Sequence, residues 1–331
     1  MVSKYEKYYE SYKTPRGAGD ARPTAQQIIE DEGLVGQWKG KVVMITGASS
    51  GIGIETARAL ATTGAELFLP VRSPDKTKEA LNDLIESGKA TLMDLELSSL
   101  YSVRKCAEAF LARKQKLNLL ICNAGLMSCP EGRTEDGFET QFGVNHLAHF
   151  LLFNLLKDAL IAGSTPDFNS RVIMLSSSAH RFGSVNFKNL TFEGEYDPHK
   201  AYAQSKTANL WMANHIDRLF GDKGVHAWSV NPSVVQTGLG RFLDDAQVQA
   251  AFADEKTAKE ARSIPQGAAP TIYAAVAKEL EGKGGKYTEN CNIVGPQINS
   301  GIYDEGYAPW AYDEASEKEL WQVSLKMVGL E

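Results

Sequence analysis

From residue 41 onward, short apolar runs alternate with longer segments of helical periodicity. The strand-like runs are VVMIT, AELFLPV, ATLMDL, LNLLIC, RVIMLS and VHAWSV. The helical segments between them include IGIETARALATTG, LYSVRKCAEAFLARKQ, residues 139–162 and AYAQSKTANLWMANHIDRLF. This alternation favours βαβ units, and continuous apolar strands are typical of a parallel sheet that is buried on both faces. The pattern predicts an α/β fold, a doubly wound parallel sheet with helices on both faces.

The turn between the first predicted strand and the first predicted helix is rich in glycine and reads TGASSGIG, residues 46–53. Small residues here permit a tight turn and let a pyrophosphate group come close to the backbone. The amides and the dipole of the following helix favour an anion at the same point. The turn therefore predicts a Rossmann-type dinucleotide site. Its candidate binding residues are Gly47, Ser49, Ser50, Gly51, Ile52 and Gly53.

Charge and cysteine content argue against several classes of protein. The 331 residues carry a net charge of −6 with no long basic run, which disfavours nucleic acid as a partner. The four cysteines are scattered, which predicts buried free thiols, a reducing compartment and no metal site. The N-terminus lacks an apolar signal core, and the apolar region 146–156 is too short to span a bilayer. We therefore expect a soluble, cytoplasmic protein.

Further motifs follow the glycine turn in a fixed order. They are Asp94-Leu95, CNAG at 122–125, Asn145 in GVNHLAHF, SSSAH at 176–180, YAQSK at 202–206 and NPSVVQT at 231–237. Together with TGxxxGxG they resemble the short-chain dehydrogenase/reductase family, and the resemblance covers about residues 41–300. Within that family, the chain resembles the retinol-dehydrogenase-like and WW-domain-oxidoreductase-like branch. The similarity lies in the sequences SSSAHRFG and AYAQSKTAN and in the long stretch between them. The resemblance implies an oxidoreductase that uses a nicotinamide cofactor.

Tyr202 and Lys206 are four residues apart in a helical segment and therefore share one face. A phenol with a pKa of about 10 becomes more acidic beside an ammonium group, so the pair can act as a general acid/base. The family resemblance implies that Ser177 binds the substrate oxygen and that Asn145 links Lys206 to solvent as a proton relay. The alternatives are an interfacial Tyr with a solvated Lys, a Ser that only caps a strand, and a locally satisfied Asn.

The end of the second strand, LFLPVRS, predicts the cofactor. NAD enzymes of this type place an acid there to bind the ribose 2′-hydroxyl, whereas here Val71 occupies the position and Arg72 follows. A guanidinium without that acid favours the 2′-phosphate of NADP(H), to which Ser49 can add a hydrogen bond. A solvated surface Arg is the alternative.

The family resemblance also implies the remaining cofactor contacts. Asp94 and Leu95 would flank the adenine, and Val235 and Thr237 would contact the nicotinamide amide. Along the groove between them lie Asn123, Ala124 and Gly125, together with the catalytic Tyr202 and Lys206. Two positions depart from the family pattern, because Cys122 replaces an Asn and Ser233 replaces a Gly. Ser233 is expected to narrow the nicotinamide pocket.

Three regions divide the chain. Residues 1–40 are predicted to be an N-terminal extension, 41–300 a single catalytic domain, and 301–331 a tail that completes the substrate pocket or packs as a helix. Residues 238–265 occupy the family's variable substrate region and mix aromatic, apolar and charged side chains. A lipophilic alcohol, ketone or aldehyde of terpenoid, polyketide, steroid or retinoid type suits these regions.

Two further questions stay open at the level of sequence. The long helices around 139–162 and 200–219 form dimer faces in many members of the family, so a homodimer or a monomer is expected. The same site could also serve an isomerase, an epimerase or a dehydratase, or bind NADP in a non-catalytic regulatory module. A missing Tyr or Lys would have favoured the regulatory module, and neither is missing.

Overall fold

The computed structural model describes residues 4–331 with the exception of 115, 300 and 302. Within this part of the chain, eight strands form one sheet. They are β1 (Val42–Ile45), β2 (Glu66–Val71), β3 (Ala90–Asp94), β4 (Leu119–Cys122), β5 (Ser170–Leu175), β6 (Val225–Asn231), β7 (Lys286–Glu289) and β8 (Asn292–Ile293). Their order is β3-β2-β1-β4-β5-β6-β7-β8, and every pair is parallel except β7 with β8.

Helices fill the connections between the strands. The α-helices are α1 (Lys4–Tyr12), α2 (Ala25–Asp31), α3 (Ile52–Thr62), α4 (Pro74–Glu86), α5 (Leu100–Leu111), α6 (Thr140–Phe142), α7 (Ala148–Gly163), α8 (Pro198–Phe220), α9 (Asp245–Ala253), α10 (Glu255–Glu260), α11 (Ile264–Val276) and α12 (Glu314–Met327). A π-helical turn, Gly143–Leu147, joins α6 to α7. Short 3₁₀ turns cover Ser178–Phe182, Gly221–Lys223, Gly238–Gly240 and Lys278–Leu280.

The sheet confirms the predicted fold class, and the six predicted strands are β1 to β6. The strands β7 and β8 escaped prediction because they are short and carry polar residues. The strand order reverses at β1, which lies between β2 and β4. Such a reversal leaves a crevice at the carboxyl ends of the strands, where open α/β sheets bind ligands. The glycine turn follows β1 and therefore lies at this crevice.

Alternate residues of the central strands support two separate core layers. Met44 of β1 packs into the layer that contains α5, α7, α8 and α12. Its neighbours Val43 and Ile45 pack into the opposite layer, with α3, α11 and the N-terminal helices. Because both faces are covered, each apolar strand side chain is removed from water and contributes about 1.5–3 kcal/mol.

The N-terminal extension packs closely on the domain. Ile28 and Ile29 of α2 are fully buried in the same layer as α3 and α11. Thr24 caps α2 by accepting a hydrogen bond from the amide of Gln27 at 3.2 Å. The extension and the domain therefore share one hydrophobic core.

The C-terminal tail has two parts. Residues 304–310 run past the turn that follows β5, where the Ala308 amide donates to His180 Nε2 at 3.1 Å. Helix α12 packs across α7 and α8, with the Trp321 ring 4.8 Å from Phe150 and 5.0 Å from His215. This is the helical alternative predicted for the tail, and it covers the helices to which the sequence assigned a dimer face.

The cysteines are buried and unpaired, as predicted. Burial raises the pKa of Cys106 to about 12, so its thiol stays protonated and is a poor nucleophile. Along the described residues, none of the helices combines the length and the apolar character that a bilayer crossing requires.

Candidate active site

The glycine turn is packed so closely that side chains cannot be added to it. A Cβ atom on Gly47, whose φ is 73°, would lie 2.7 Å from the Cα atom of Ala124. A Cβ atom on Gly53 would lie 2.2 Å from the backbone oxygen of Gly47. Gly51 stands at the N-cap of α3 and has no side chain to bind the first amides of the helix. The turn thus leaves a backbone cradle with free amides, which fits the pyrophosphate of a dinucleotide.

Thr46 ties the end of β1 to the end of β4. Its hydroxyl accepts hydrogen bonds from the amides of Asn123 and Ala124, each at 3.1 Å, and lies 2.9 Å from His149 Nε2. Burial lowers the pKa of His149 to about 4, and its Nδ1 lies 3.0 Å from the backbone oxygen of Asn145. The neutral imidazole can donate through Nδ1 and accept the Thr46 hydroxyl at Nε2. Sequence reasoning missed both residues, because nothing but their place inside two motifs marks them.

A cavity of about 360 Å³ opens beside the glycine turn. Predicted cofactor residues that line it are Gly47, Ser49, Ser50, Gly51, Ile52, Arg72, Leu95, Asn123, Ala124, Gly125, Val235 and Thr237. Gly53 lies behind this lining, against the Gly47 backbone. Asp94 is exposed at the end of β3 and is not among the described lining residues, whereas its neighbours Leu95 and Glu96 are. The predicted adenine contact of Asp94 therefore has no support from the cavity.

One end of this cavity is basic. Arg72, Lys76 and Arg241 all line it. The Arg72 side chain is 70% exposed and lies 3.8 Å from a carboxylate oxygen of Glu96. Burial lowers the pKa of Arg241, and the positive charge of Arg72 lowers it further. Three cations gathered around one space indicate that this end of the cavity suits an anion. Sequence reasoning missed Lys76 and Arg241, since nothing in the sequence links residue 241 with residue 72.

Helix α8 carries Tyr202 and Lys206 on one face, as predicted. The Lys206 ammonium donates to the backbone oxygen of Leu175 at 3.0 Å and lies 5.5 Å from the centre of the Tyr202 ring. Burial lowers the pKa of Lys206 to about 8. Burial also raises the pKa of Tyr202 to about 12, although a hydrogen bond with Ser177 acts in the opposite direction. The lowered phenol pKa expected from the sequence is therefore wrong for this structure, because both groups lose water when they are buried.

Asn145 lies in the π-helical turn and is fully buried. Its side-chain oxygen accepts from the Leu126 amide at 2.8 Å, and its nitrogen donates to the Leu126 oxygen and to Ser205 Oγ, each at 2.9 Å. A Cβ atom on Gly125 would lie 3.2 Å from Asn145 Oδ1 and 3.6 Å from Lys206 Nζ. Gly125 thus borders the side chains of both Asn145 and Lys206. The structure brings Asn145 close to Lys206 and also satisfies its amide locally.

Ser177 follows β5, and the interaction of its hydroxyl with the Tyr202 phenol acts to lower the pKa of that phenol. Its hydroxyl oxygen also accepts from the Ala179 amide at 3.1 Å, and its backbone oxygen lies 2.6 Å from His180 Nδ1. The capping interpretation and the catalytic interpretation are therefore compatible. The backbone turn at Ser178–Phe182 fixes Ser177 beside the phenol, and Ala308 holds the other nitrogen of His180.

Ser233 has a φ of 66°, in the left-handed region that favours glycine. Its amide donates to Asn231 Oδ1 at 3.0 Å, and the residue lines the cavity beside Val235. The family pattern has a glycine here, so the backbone shape has been kept while a side chain was added. A non-glycine residue in this conformation costs about 1–2 kcal/mol.

Comparisons with known proteins identify relatives of the chain. A family model for short chain dehydrogenases matches residues 41–247. Short-chain dehydrogenase/reductase prx1 of Penicillium roqueforti is 46% identical and covers 99% of this chain and 97% of its own. Human retinol dehydrogenase 14 is 34% identical, covering 92% of this chain and 91% of its own. Human WW domain-containing oxidoreductase is 35% identical, covering 95% of this chain and 73% of its own.

A solved structure shows the same architecture. An uncharacterized protein from Mycobacterium paratuberculosis superposes with a TM-score of 0.67 at 29% identity, covering 90% of this chain and 97% of its own. The predicted resemblance, including the retinol-dehydrogenase-like and WW-domain-oxidoreductase-like relatives, is confirmed. The chain belongs to the short-chain dehydrogenase/reductase family of oxidoreductases.

Proposed function

We propose that the protein is an NADP(H)-dependent oxidoreductase that interconverts a carbonyl and an alcohol on a lipophilic small molecule. One observation carries the proposal. Ser177 and Tyr202 interact beyond the end of β5, and the Lys206 ammonium borders Gly125, which lines the cavity beside the glycine turn. A proton donor beside a dinucleotide cradle is what the reduction of a carbonyl requires.

Tyr202 is the general acid. Its pKa is raised to about 12, so the phenol keeps its proton at neutral pH and can donate it to a carbonyl oxygen. Ser177, whose hydroxyl acts on the pKa of the phenol, holds the same substrate oxygen in place. When bound, the nicotinamide supplies or accepts the hydride. A protonated acid and NADPH both favour the reductive direction.

Lys206 returns the proton to Tyr202, and Asn145 would position the water that links Lys206 to solvent. The ammonium is buried, donates to the Leu175 oxygen, and borders Gly125 together with Asn145. Asn145 is fixed by two hydrogen bonds to Leu126. These contacts fix Asn145 and Lys206 where a water between them and solvent would carry the proton.

The preference for NADP(H) rests on charge at one end of the cavity. Arg72, Lys76 and Arg241 line it, and Val71 stands where an NAD enzyme of this type would carry an acid. A 2′-phosphate would be bound by charge-assisted hydrogen bonds from these cations. Glu96 lies 3.8 Å from Arg72 and would partly oppose the phosphate.

The substrate class is inferred from the variable region and from the relatives. Segment 238–260 carries the exposed Phe242, and Gly238 and Leu239 line the cavity. Retinol dehydrogenase 14 is named for a lipophilic alcohol, and it matches nearly the whole chain. The proposed substrate is therefore an alcohol or a carbonyl compound of terpenoid, polyketide, steroid or retinoid type. The proposed location of the protein is the cytoplasm.

The test is consumption of NADPH in the presence of a panel of lipophilic ketones and aldehydes, with the products identified. Tyr202→Phe removes the transferable proton, so turnover is expected to fall by roughly a hundredfold or more while NADPH binding persists. Tyr101→Phe, a change at an exposed tyrosine, is the matched control and should be active. Normal turnover by Tyr202→Phe would overturn the assignment of the acid. Product formed without net NADPH consumption would favour an isomerase, an epimerase or a dehydratase instead.

A further inference from the structure

The N-terminal extension is bonded directly to the segment that borders the cavity. Arg22 is 2% exposed, and its guanidinium donates to the backbone oxygens of Glu260 at 2.8 Å and Ala261 at 2.7 Å. It also donates to the Lys259 oxygen at 3.3 Å and to the Gly17 oxygen at 3.1 Å. One buried side chain therefore binds three consecutive carbonyls at the end of α10.

Two neighbours reinforce this contact. Asp20 accepts from Arg22 Nε at 2.8 Å, so the guanidinium is paired as well as buried. Gln266, in the first turn of α11, donates from Nε2 to the backbone oxygens of Asp20 at 3.1 Å and Arg22 at 3.0 Å. The Gly19 amide donates to Gln266 Oε1 at 2.8 Å. Residues 17–22 thus bind both the end of α10 and the start of α11.

The point that Arg22 holds continues directly into the cavity wall. Arg262 follows Ala261, and its amide donates to the Val234 oxygen at 2.9 Å. It also forms a parallel bridge with Val235, which lines the cavity. The Arg262 guanidinium lies 4.6 Å from the ring of Tyr12, a second contact with the N-terminal extension. The extension therefore holds the backbone on which Val235 sits.

We propose that Arg22 is a positioning residue for the active-site cavity, and that residues 17–22 act as a clamp on the segment 238–262. One end of this segment, at Gly238, Leu239 and Arg241, lines the cavity. Its other end is bound by Arg22 and by Val234. Fixing the far end sets the position of both Val235 and the part of the segment that lines the cavity. The proposal rests on the proposed function only in taking this cavity as the nicotinamide nucleotide site.

The test compares two variants of the same extension. Arg22→Met keeps the bulk of the side chain and removes its hydrogen bonds to Gly17, Lys259, Glu260 and Ala261. Thr24→Ala removes the cap of α2, whose contact with Gln27 lies inside the extension. Both variants are expected to lower Tm, because each loses hydrogen bonds. Only Arg22→Met is expected to raise the KM for NADPH and for substrate, by about tenfold, with a smaller change in kcat.

Limited proteolysis measures how firmly the segment 238–262 is held, without depending on enzyme activity. Tryptic cleavage after Arg241 and Lys256 should be faster in Arg22→Met than in wild type or Thr24→Ala, under conditions where all three are folded. Arg22→Lys keeps a cation that can reach some of the carbonyls, so it should give an intermediate KM and an intermediate rate of cleavage. If Arg22→Met does not fold, Arg22→Lys carries the comparison.

Two results would overturn the clamp: equal changes in KM for Arg22→Met and Thr24→Ala, or cleavage after Arg241 and Lys256 at the wild-type rate. Failure of the proposed function looks different. Wild-type protein would then bind neither NADPH nor NADH in a titration, while the difference in proteolysis between the variants would persist.

Discussion

Lys206 is the residue expected to limit the reaction at high pH. Its pKa is lowered to about 8, so the ammonium is present below pH 8 and is lost as the pH rises above it. Since kcat/KM reports the free enzyme, its value for carbonyl reduction should be flat below about pH 7 and fall about tenfold per pH unit well above pH 8. The pH profile of NADPH oxidation checks this.

Lys206→Met provides the control for that profile. The residual activity of the variant should lack the fall near pH 8, because the titrating group has been removed. If kcat/KM of Lys206→Met still falls near pH 8, the fall is caused by a titrating group other than Lys206. A wild-type profile that stays flat to pH 10 would show that the ammonium plays no part in proton return.

Arg72 is expected to decide between the two nicotinamide cofactors. A charge-assisted contact between a guanidinium and a phosphate is worth roughly 1.5–3 kcal/mol, so Arg72→Ala should weaken NADPH binding by about tenfold to a hundredfold. The side chain is 70% exposed and Lys76 and Arg241 lie at the same end of the cavity, which places the loss near the lower figure. NADH, which lacks the phosphate, should bind nearly as before.

Paired fluorescence titrations with NADPH and NADH measure this change. Val71 is 3% exposed, so a new carboxylate is better introduced at position 72 than at the buried position 71. Arg72→Asp should therefore favour NADH further, and Arg113→Ala, a change at another exposed arginine, should leave both affinities unchanged. If wild type binds both nucleotides equally, or Arg72→Ala weakens both alike, the proposed cofactor preference is wrong.

The local sequence pattern was sufficient to predict each helix or strand that is long or buried on both faces. The strands β1 to β6 and the helices α3, α5, α7 and α8 follow directly from apolar runs and helical periodicity. The short strands β7 and β8 do not, because β7 pairs with β6 and β8 pairs with β7, and their own composition does not mark either as a strand. The π-helical turn at Asn145 was also invisible, since it differs from an α-helix by one residue in a continuous helical segment.

Some residues of the candidate site could likewise be predicted from the sequence, and others could not. Residues that belong to motifs, such as Tyr202, were found from the sequence, because a helix places positions four apart on one face. Lys76 and Arg241 were not, since their meeting depends on the folding of a variable segment over the cavity. Arg22 was missed for the same reason, because the carbonyls that it binds at the end of α10 lie more than 230 residues away in the chain. Long-range contacts of this kind have no local signature.

Helix α12 covers surface of α7 and α8 that would otherwise be open to a second copy of the chain. His146 Nε2 lies 2.9 Å from Ser324 Oγ, and Asn214 donates to Glu317 at 2.8 Å, so polar contacts as well as apolar ones fix the helix. The Trp211 indole donates to the Trp310 oxygen at 2.8 Å, which anchors the chain before α12. A second copy that packed on the part of α7 and α8 around Phe150 and His215 would have to displace this helix.

The chain is therefore expected to be a monomer at micromolar concentration. Light scattering should give a mass near the 36.2 kDa of one chain. Trp321→Ala tests the cause, because it opens a cavity beside Phe150 and should cost about 3–5 kcal/mol of stability. The loosened helix should then expose apolar surface and raise the measured mass at concentrations where wild type stays monomeric. A wild-type particle of twice the mass, with cross-links between α7 or α8 of two copies, would show instead that α12 is displaced in solution and that these helices form a dimer face.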